Sequence, residues 1–334
     1  MKVDGGLAGD LSRVAESARA LDSAGYDGAS TAETAHDPFF PLLLAAQNSD
    51  SIELITSIAV AFSRSPMTLA GIGHDLNAVS RGRFVLGLGS QIRAHITKRF
   101  SMPWSRPAAR MREYILALHA IWDNWYGGKR LDFRGEFYTH TLMTPMFTPT
   151  DTEFGPPKIF LAAVGPLMTQ VAGEVADGII IHPFTTEKYM REVTLPAIEK
   201  GLQKNGRSRD QFEISYPGFV VTGDNEESFE ASRQAVCKQI AFYGSTPAYQ
   251  SVLALHGWGA LQPELNVLSK QGQWDEMGTL ITDEILAEFA IVAEPDEAVG
   301  QFKQRYAGLV DRTSFGIPAR SPEHRAELLA QLKA

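Results

Sequence analysis

Cysteine is almost missing from this chain of 334 residues, where Cys237 stands alone. One thiol can build neither a disulfide framework nor a cysteine cage for zinc or iron–sulfur, and such usage suits a reducing compartment. Long hydrophobic runs are missing too: no stretch reaches the ~18 apolar residues of a membrane-spanning helix. The opening residues lack the basic-then-apolar order of a secretory signal, because Asp4 and Asp10 interrupt it. There is no excess of positive charge either. Thirty-one Lys and Arg against 39 Asp and Glu leave a net charge of −8, a poor match to a nucleic-acid polyanion. The expectation is a cytoplasmic protein with no membrane and no nucleic-acid partner. A hydrophobic fraction of 44% in a chain this long nevertheless supports a large core.

Familiar catalytic motifs are absent as well. No G-x-x-x-x-G-K-[ST] phosphate loop occurs, and Gly87-Leu88-Gly89 lacks the third glycine of a dinucleotide fingerprint, since Ile92 stands there. The eight histidines form no H-x-H and no H-E-x-x-H, so no metal site is expected. A G-x-S-x-G nucleophile elbow is missing. An organic cofactor is therefore the expected carrier of the chemistry.

What is present is a rhythm. Asp10 is placed to cap a helix that ends near Ala24 and Gly25, Ile52 to Val60 has the continuous apolarity of a buried parallel strand, and Pro66 opens a second helix. Phe84 to Gly89 reads as another strand. Strands and helices alternate too closely for an antiparallel sandwich, which predicts βαβ units around one parallel sheet. Strands near residues 3, 29, 54, 84, 159, 179, 214 and 290 make eight, the number that closes a single (β/α)8 TIM barrel. With no linker in view, residues 1–334 read as one barrel domain. It carries a loop and hairpin insertion at 100–157 and a helical cap insertion at 246–283.

In such a barrel the chemistry sits where strands end. Those positions hold Glu33-Thr34-Ala35-His36, Thr56-Ser57-Ile58, Gly89-Ser90-Gln91, Ala162-Ala163-Val164-Gly165 and Ile181-His182. Small residues suit backbone lying against a flat ring, and Gly165-Pro166 opens a helix whose free N–H groups can hold a phosphate. Taken singly, each is equally an ordinary connection between strand and helix.

Four longer strings carry a resemblance. Thr56-Ser57-Ile58-Ala59-Val60-Ala61-Phe62-Ser63-Arg64-Ser65-Pro66 resembles the third-strand segment of the bacterial-luciferase-like flavin and deazaflavin oxidoreductases, and Ser80-Arg81-Gly82-Arg83-Phe84-Val85-Leu86-Gly87-Leu88-Gly89-Ser90 their fourth strand. Ile159-Phe160-Leu161-Ala162-Ala163-Val164-Gly165-Pro166, followed by Ala176-Asp177-Gly178, is similar to their cofactor-phosphate region. Phe289-Ala290-Ile291-Val292-Ala293-Glu294-Pro295-Asp296-Glu297-Ala298 looks like their closing strand and helix. The order holds from about residue 1 to 318, and the branch most resembled uses coenzyme F420, a deazaflavin.

The resemblance implies a non-proline cis peptide at Ser57–Ile58, whose bulge, continuing into Ala59, backs the central ring. It implies that Glu33 lies beside the ring as a candidate catalytic carboxylate, or otherwise caps the next helix, and that Gly89 and Ser90 lie near the ring edge. Ala163, Val164, Gly165 and Pro166 would face the cofactor phosphate, with His182, Thr185 and Thr186 as hydrogen-bond donors. Lys188 reads as a solvated helix residue. Thr34 and Ile92 replace the histidine and glutamate of the deazaflavin-dependent sugar-phosphate dehydrogenases, so a sugar phosphate is a doubtful substrate. His36 and His95 then become the candidate proton partners. Phe39, Phe62, Trp104 and Trp258 are candidates for an apolar substrate wall.

The leading expectation is hydride transfer between F420 and a small organic substrate. An alternative is an FMN-dependent monooxygenase that uses oxygen and is served by a flavin reductase. A third is a non-catalytic cofactor-binding or partner subunit. A homodimer is expected by analogy with the family.

Overall fold

The computed structural model describes residues 1–316 and 319–334. Eight parallel strands form the barrel: β1 (Lys2–Gly6), β2 (Gly28–Thr31), β3 (Glu53–Thr56), β4 (Phe84–Gly89), β5 (Lys158–Ala163), β6 (Gly178–Ile181), β7 (Glu213–Ser215) and β8 (Arg312–Thr313). Each pairs with its neighbours in sequence, β3 pairs with β4, and β8 returns to β1 with Lys2 opposite Arg312 and Val3 opposite Thr313. The ring is closed, as the alternation of elements predicts.

One strand assignment is corrected. Ala290–Val292 lies outside the barrel, pairing in parallel with Phe219–Val221 in a separate two-stranded sheet. The chain leaves the barrel after β7 at Tyr216-Pro217-Gly218, where proline has no N–H for the ladder and Gly218 takes a φ of 71°. Its continuation then recruits the apolar triplet at 290. The eighth place falls to Arg312–Thr313, which pairs with β7 as well as β1.

Strand alternation sorts the side chains. Val3, Ala29, Leu54, Leu86, Leu161, Ile179 and Ile214 face outward into the main core beneath the helices. Ile55, Val85 and Phe160, with Ile180, form a separate apolar cluster inside the barrel. Helices Val14–Ser23, Phe39–Ala46, Pro66–Val79, Pro107–Gly127, Pro166–Val175, Leu195–Lys204 and Pro295–Tyr306 pack around the outside. Stretch 100–157 contains the long helix Pro107–Gly127 and a hairpin pairing Phe133–Arg134 with Thr139–His140. Stretch 246–283 is helical, with Gln250–Leu255, Leu261–Gln271 and Trp274–Thr279, and shares a second core with Phe184, Tyr189 and Phe289.

At the end of the barrel opposite the mouth, Arg312 is completely buried. Its Nε lies 2.7 Å from Asp4 Oδ2, its Nη1 3.5 Å from Glu213, and its Nη2 pairs with Glu53. Lys2 Nζ reaches Glu53 at 3.2 Å and Glu213 at 3.0 Å, and Lys158 approaches Glu213 at 3.6 Å. Burial works against the charge on Glu53, yet Arg312 and Lys2 together hold its pKa below the ordinary carboxylate value. Gly28 makes this possible: a Cβ there would collide with Asp4 Oδ1 and lie 3.2 Å from Arg312 Nη2.

Replacing only the guanidinium leaves three acids without their common cation, and breaking a buried pair such as Asp4 with Arg312 costs ~3–5 kcal/mol. Arg312→Met should therefore lose that much unfolding free energy in urea titration. A loss below ~1 kcal/mol would show that the cluster is energetically neutral.

Candidate functional site

The mouth is built where β2 to β6 end. After Thr56 the Ser57–Ile58 peptide is cis, as the resemblance implied, and Ala59–Val60 then pairs with Leu88 and Gly89 at the end of β4. Ser57 is exposed and Ala59 buried. The Ile58 side chain lies over Gly89, where a Cβ would stand only 2.7 Å from Ile58 Cδ1. Ser90 donates to the Gln91 carbonyl at 3.2 Å, and Gln91 itself has a φ of 58°.

Glu33 is held tightly. Its Oε2 accepts from Val60 N and from Arg64 Nη1, both at 2.7 Å, and its side chain is only 6% exposed. Arg64 also reaches Asp37 at 3.2 Å and Ser63 Oγ at 2.9 Å. The carboxylate thus ties the end of β2 to the segment after β3 and is charge-paired, which is the geometry of an anchor rather than of a free acid or base. It does not cap the next helix; Asp37 supplies a bond there, to Phe39 N at 2.8 Å.

His36 and His95 are exposed on the loops after β2 and β4, and neither is a partner of Glu33. Those loops touch, because Arg99 Nη2 donates to the Thr34 carbonyl at 2.6 Å. His95 opens a short π-helix, His95–Arg99, pinned by the buried Ile96. Phe39 and Phe62 are core residues, which removes them from a substrate wall. Trp104 packs edge-on to Phe62 at 5.9 Å, and Arg110 stacks over the same ring at 4.4 Å while holding Tyr138 Oη and the Pro103 carbonyl, each at 2.7 Å. Trp258 stacks on His256 at 4.7 Å.

Across the mouth, Gly165 precedes the helix Pro166–Val175, with no side chain capping its first turn and open space where a Cβ would point. Beside it Ala163, Val164, His182, Thr185, Tyr189 and Val252 line a small cavity. The Thr185 hydroxyl there is buried without a hydrogen-bond partner. Burial pushes the His182 pKa down to about 4, so its ring is neutral at pH 7. Its Nδ1 accepts from Phe184 N at 3.1 Å, which leaves the proton on Nε2 as a donor. Tyr243 and Tyr249 flank the ring at 4.5 and 4.8 Å.

Thr186 behaves differently from the expectation. Its hydroxyl caps Tyr189 N at 3.1 Å and bonds His256 Nε2 at 2.8 Å, so it is fully engaged inside the protein. Lys188 is exposed, donating to the Leu255 carbonyl at 3.2 Å. Sequence reasoning missed Arg64, Arg110, Tyr243, Tyr249 and His256. Only Arg64 had a signal, its place in the third-strand string, and nothing in that string marks its pairing with Glu33. No group of His, Cys, Asp or Glu among the described residues is arranged to hold a metal, and no described helix is long and apolar enough to cross a membrane.

Residues 2–312 match the family model of the luciferase-like monooxygenases. The chain belongs to this family. Among its relatives, an uncharacterized protein of Mycobacterium tuberculosis is 53% identical over 323 residues, which is 97% of this chain and 95% of that one. A putative coenzyme F420-dependent oxidoreductase of the same species is 27% identical over 330 residues, 95% of this chain and 93% of its own. The solved structure of the coenzyme F420-dependent tetrahydromethanopterin reductase of Methanopyrus kandleri superposes with a TM-score of 0.77 at 19% identity, covering 99% of this chain and 98% of that one. That likeness concerns the fold.

A buried neutral histidine should make this luciferase-like chain acid-sensitive. A folded pKa of about 4 against an ordinary 6.5 means that the stability is complete above pH 6.5 and is lost as pH falls towards 4. His182→Asn, which keeps an acceptor for Phe184 N, should remove ~2–3 kcal/mol of that loss. Parallel pH profiles of unfolding for the two proteins would show a mismatch if His182 is indeed neutral, and identical slopes if it is not.

Proposed function

We propose that this chain is an oxidoreductase that moves a hydride between coenzyme F420 and a small organic substrate. The observation that carries the reading is one local grouping at the ends of β5 and β6. There an uncapped helix N-terminus at Gly165, an orphaned Thr185 hydroxyl and a neutral His182 donor stand together. Such a set fits a phosphate: it offers hydrogen-bond donors and the positive end of a helix with no carboxylate among the residues lining the cavity. F420, when bound, supplies a two-electron hydride carrier.

The rest of the work falls to the protein. Gly165, Thr185 and His182 hold the phosphate group, while Ser57, Ile58, Gly89 and Ser90 form a floor of small or apolar surface for a flat ring. Glu33 and Arg64 keep that floor in place. His36 and His95 stand exposed at the rim, available to exchange a proton with substrate. The F420 assignment is supported by a relative named for that coenzyme. The family description, a monooxygenase, favours FMN with oxygen as the second reading.

Titration of the purified protein with F420 and separately with FMN, followed by absorbance and fluorescence, distinguishes the two. Tight F420 and weak FMN binding is the expected result; the reverse supports the monooxygenase, and binding of neither supports a partner subunit. Gly165→Asp puts a negative charge at the helix N-terminus and should weaken cofactor binding by at least ~10-fold; unchanged affinity would move the phosphate elsewhere. His36→Ala and His95→Ala address the proton. One of them should lower kcat and alter its pH profile, and if both leave rate and profile intact, neither is the partner.

A further inference from the structure

The inside of the barrel is divided. Ile55, Phe160 and Ile180 line one face of a small cavity, to which Asp4, Ser30, Ser57, Ser215, Arg312 and Ser314 bring polar atoms. Ser57 and Ser314 are exposed at the mouth end, whereas Asp4 and Arg312 are buried at the far end. Ser30 and Ser215 stand one inward position above Gly28 on β2 and Glu213 on β7, and so bridge the two levels. The cavity is a short column of about 10 Å³, room for a single water, between the serines of the mouth side and a buried acid.

The foot of the column is incomplete without a ligand. Asp4 Oδ2 meets Arg312 Nε at 2.7 Å, but Asp4 Oδ1 is enclosed and has no hydrogen-bond partner. It occupies the space that Gly28 leaves on the inner face of β2. Arg312 Nε likewise makes no well-directed hydrogen bond. Unpartnered polar atoms in a polar cavity are where ordered water resides.

We propose that this column is a water-bearing proton site, in which Asp4 holds a proton and exchanges it with the mouth through water and the serine hydroxyls. Asp4 faces Arg312 on β8, Glu53 on β3, Glu213 on β7, Lys2 on its own strand, Lys158 on β5 and Asp27 before β2. Glu53 and Glu213 share Lys2 with Arg312, whereas Asp4 has Arg312 alone, so the proton settles on Asp4. Burial raises its pKa to about 6. Transfer of a hydride to or from a substrate hydroxyl carbon also requires one proton to leave or arrive, and the column gives that proton a place beneath the floor. This use rests on the oxidoreductase reading; the water and the proton do not.

The test needs no cofactor, so its failure and the failure of that reading are separate events. With a folded pKa near 6 and an ordinary value of 3.8, the proton stabilises fully below pH 3.8 and the benefit is lost as pH rises through 6. Urea unfolding from pH 4 to 7 should show the wild type taking up about one more proton on folding than Asp4→Asn, a sign opposite to that of His182. Equal proton uptake overturns the proposal. Should Asp4→Asn fail to fold, infrared spectra of the wild type give the same answer. They should show a protonated carboxyl band that titrates away near pH 6 and shifts promptly in D2O. No such band, or one that does not exchange, refutes a hydrated site. Ser215→Val should slow that exchange by ~10-fold or more, and unaltered exchange would overturn the serine path.

Discussion

Arg312, itself fully buried, meets the carboxyl groups of Asp4, Glu53 and Glu213, which come from three other strands. Everything above depends on that meeting. The strand that carries Arg312 is only two residues long, and its ladder gives few backbone hydrogen bonds to hold β7 and β1 together. Charge-assisted bonds from one rigid guanidinium supply the missing directionality, since its planar fork can address several carboxylates at once. Burying Arg312 among these acids is costly, and the cost is offset because Lys2 and Lys158 approach from the rim and Gly28 yields the room.

The two ends of the barrel follow opposite rules. At the closed end, opposite charges are locked together across strands. At the open end, strands finish in small residues, and Arg64 ties Glu33 and Asp37 together beside them. The wall after β6 carries a histidine kept neutral by its surroundings.

Much of this was legible in the residues. Seven of the eight barrel strands show themselves as apolar runs between caps and turns, and the Ser57–Ile58 cis peptide follows from the resemblance of its segment. The eighth strand did not, because Arg312-Thr313 is short and turns a charge inward, while Ala290-Ile291-Val292 has the look of a buried strand and finds a partner outside the barrel. Glu33 reads as a reactive carboxylate in the sequence because its neutralising partner lies 31 residues away. Thr186 reads as a ligand donor, but it starts a helix, where a threonine hydroxyl turns to its own backbone. In each case the deciding contact is long-range or is won by a competing local bond.

Phe184 and Tyr189, which bracket Thr185 and Thr186, belong to the core of the helical cap and not to that of the barrel; they pack with Val252, Leu265 and Phe289. His256, next to the cap helix Gln250–Leu255, completes the join through Thr186. The wall after β6 therefore takes its shape from a body of packing that the barrel strands scarcely share. Substitutions inside the cap can thus reshape the wall after β6 while the closed end of the barrel stays untouched.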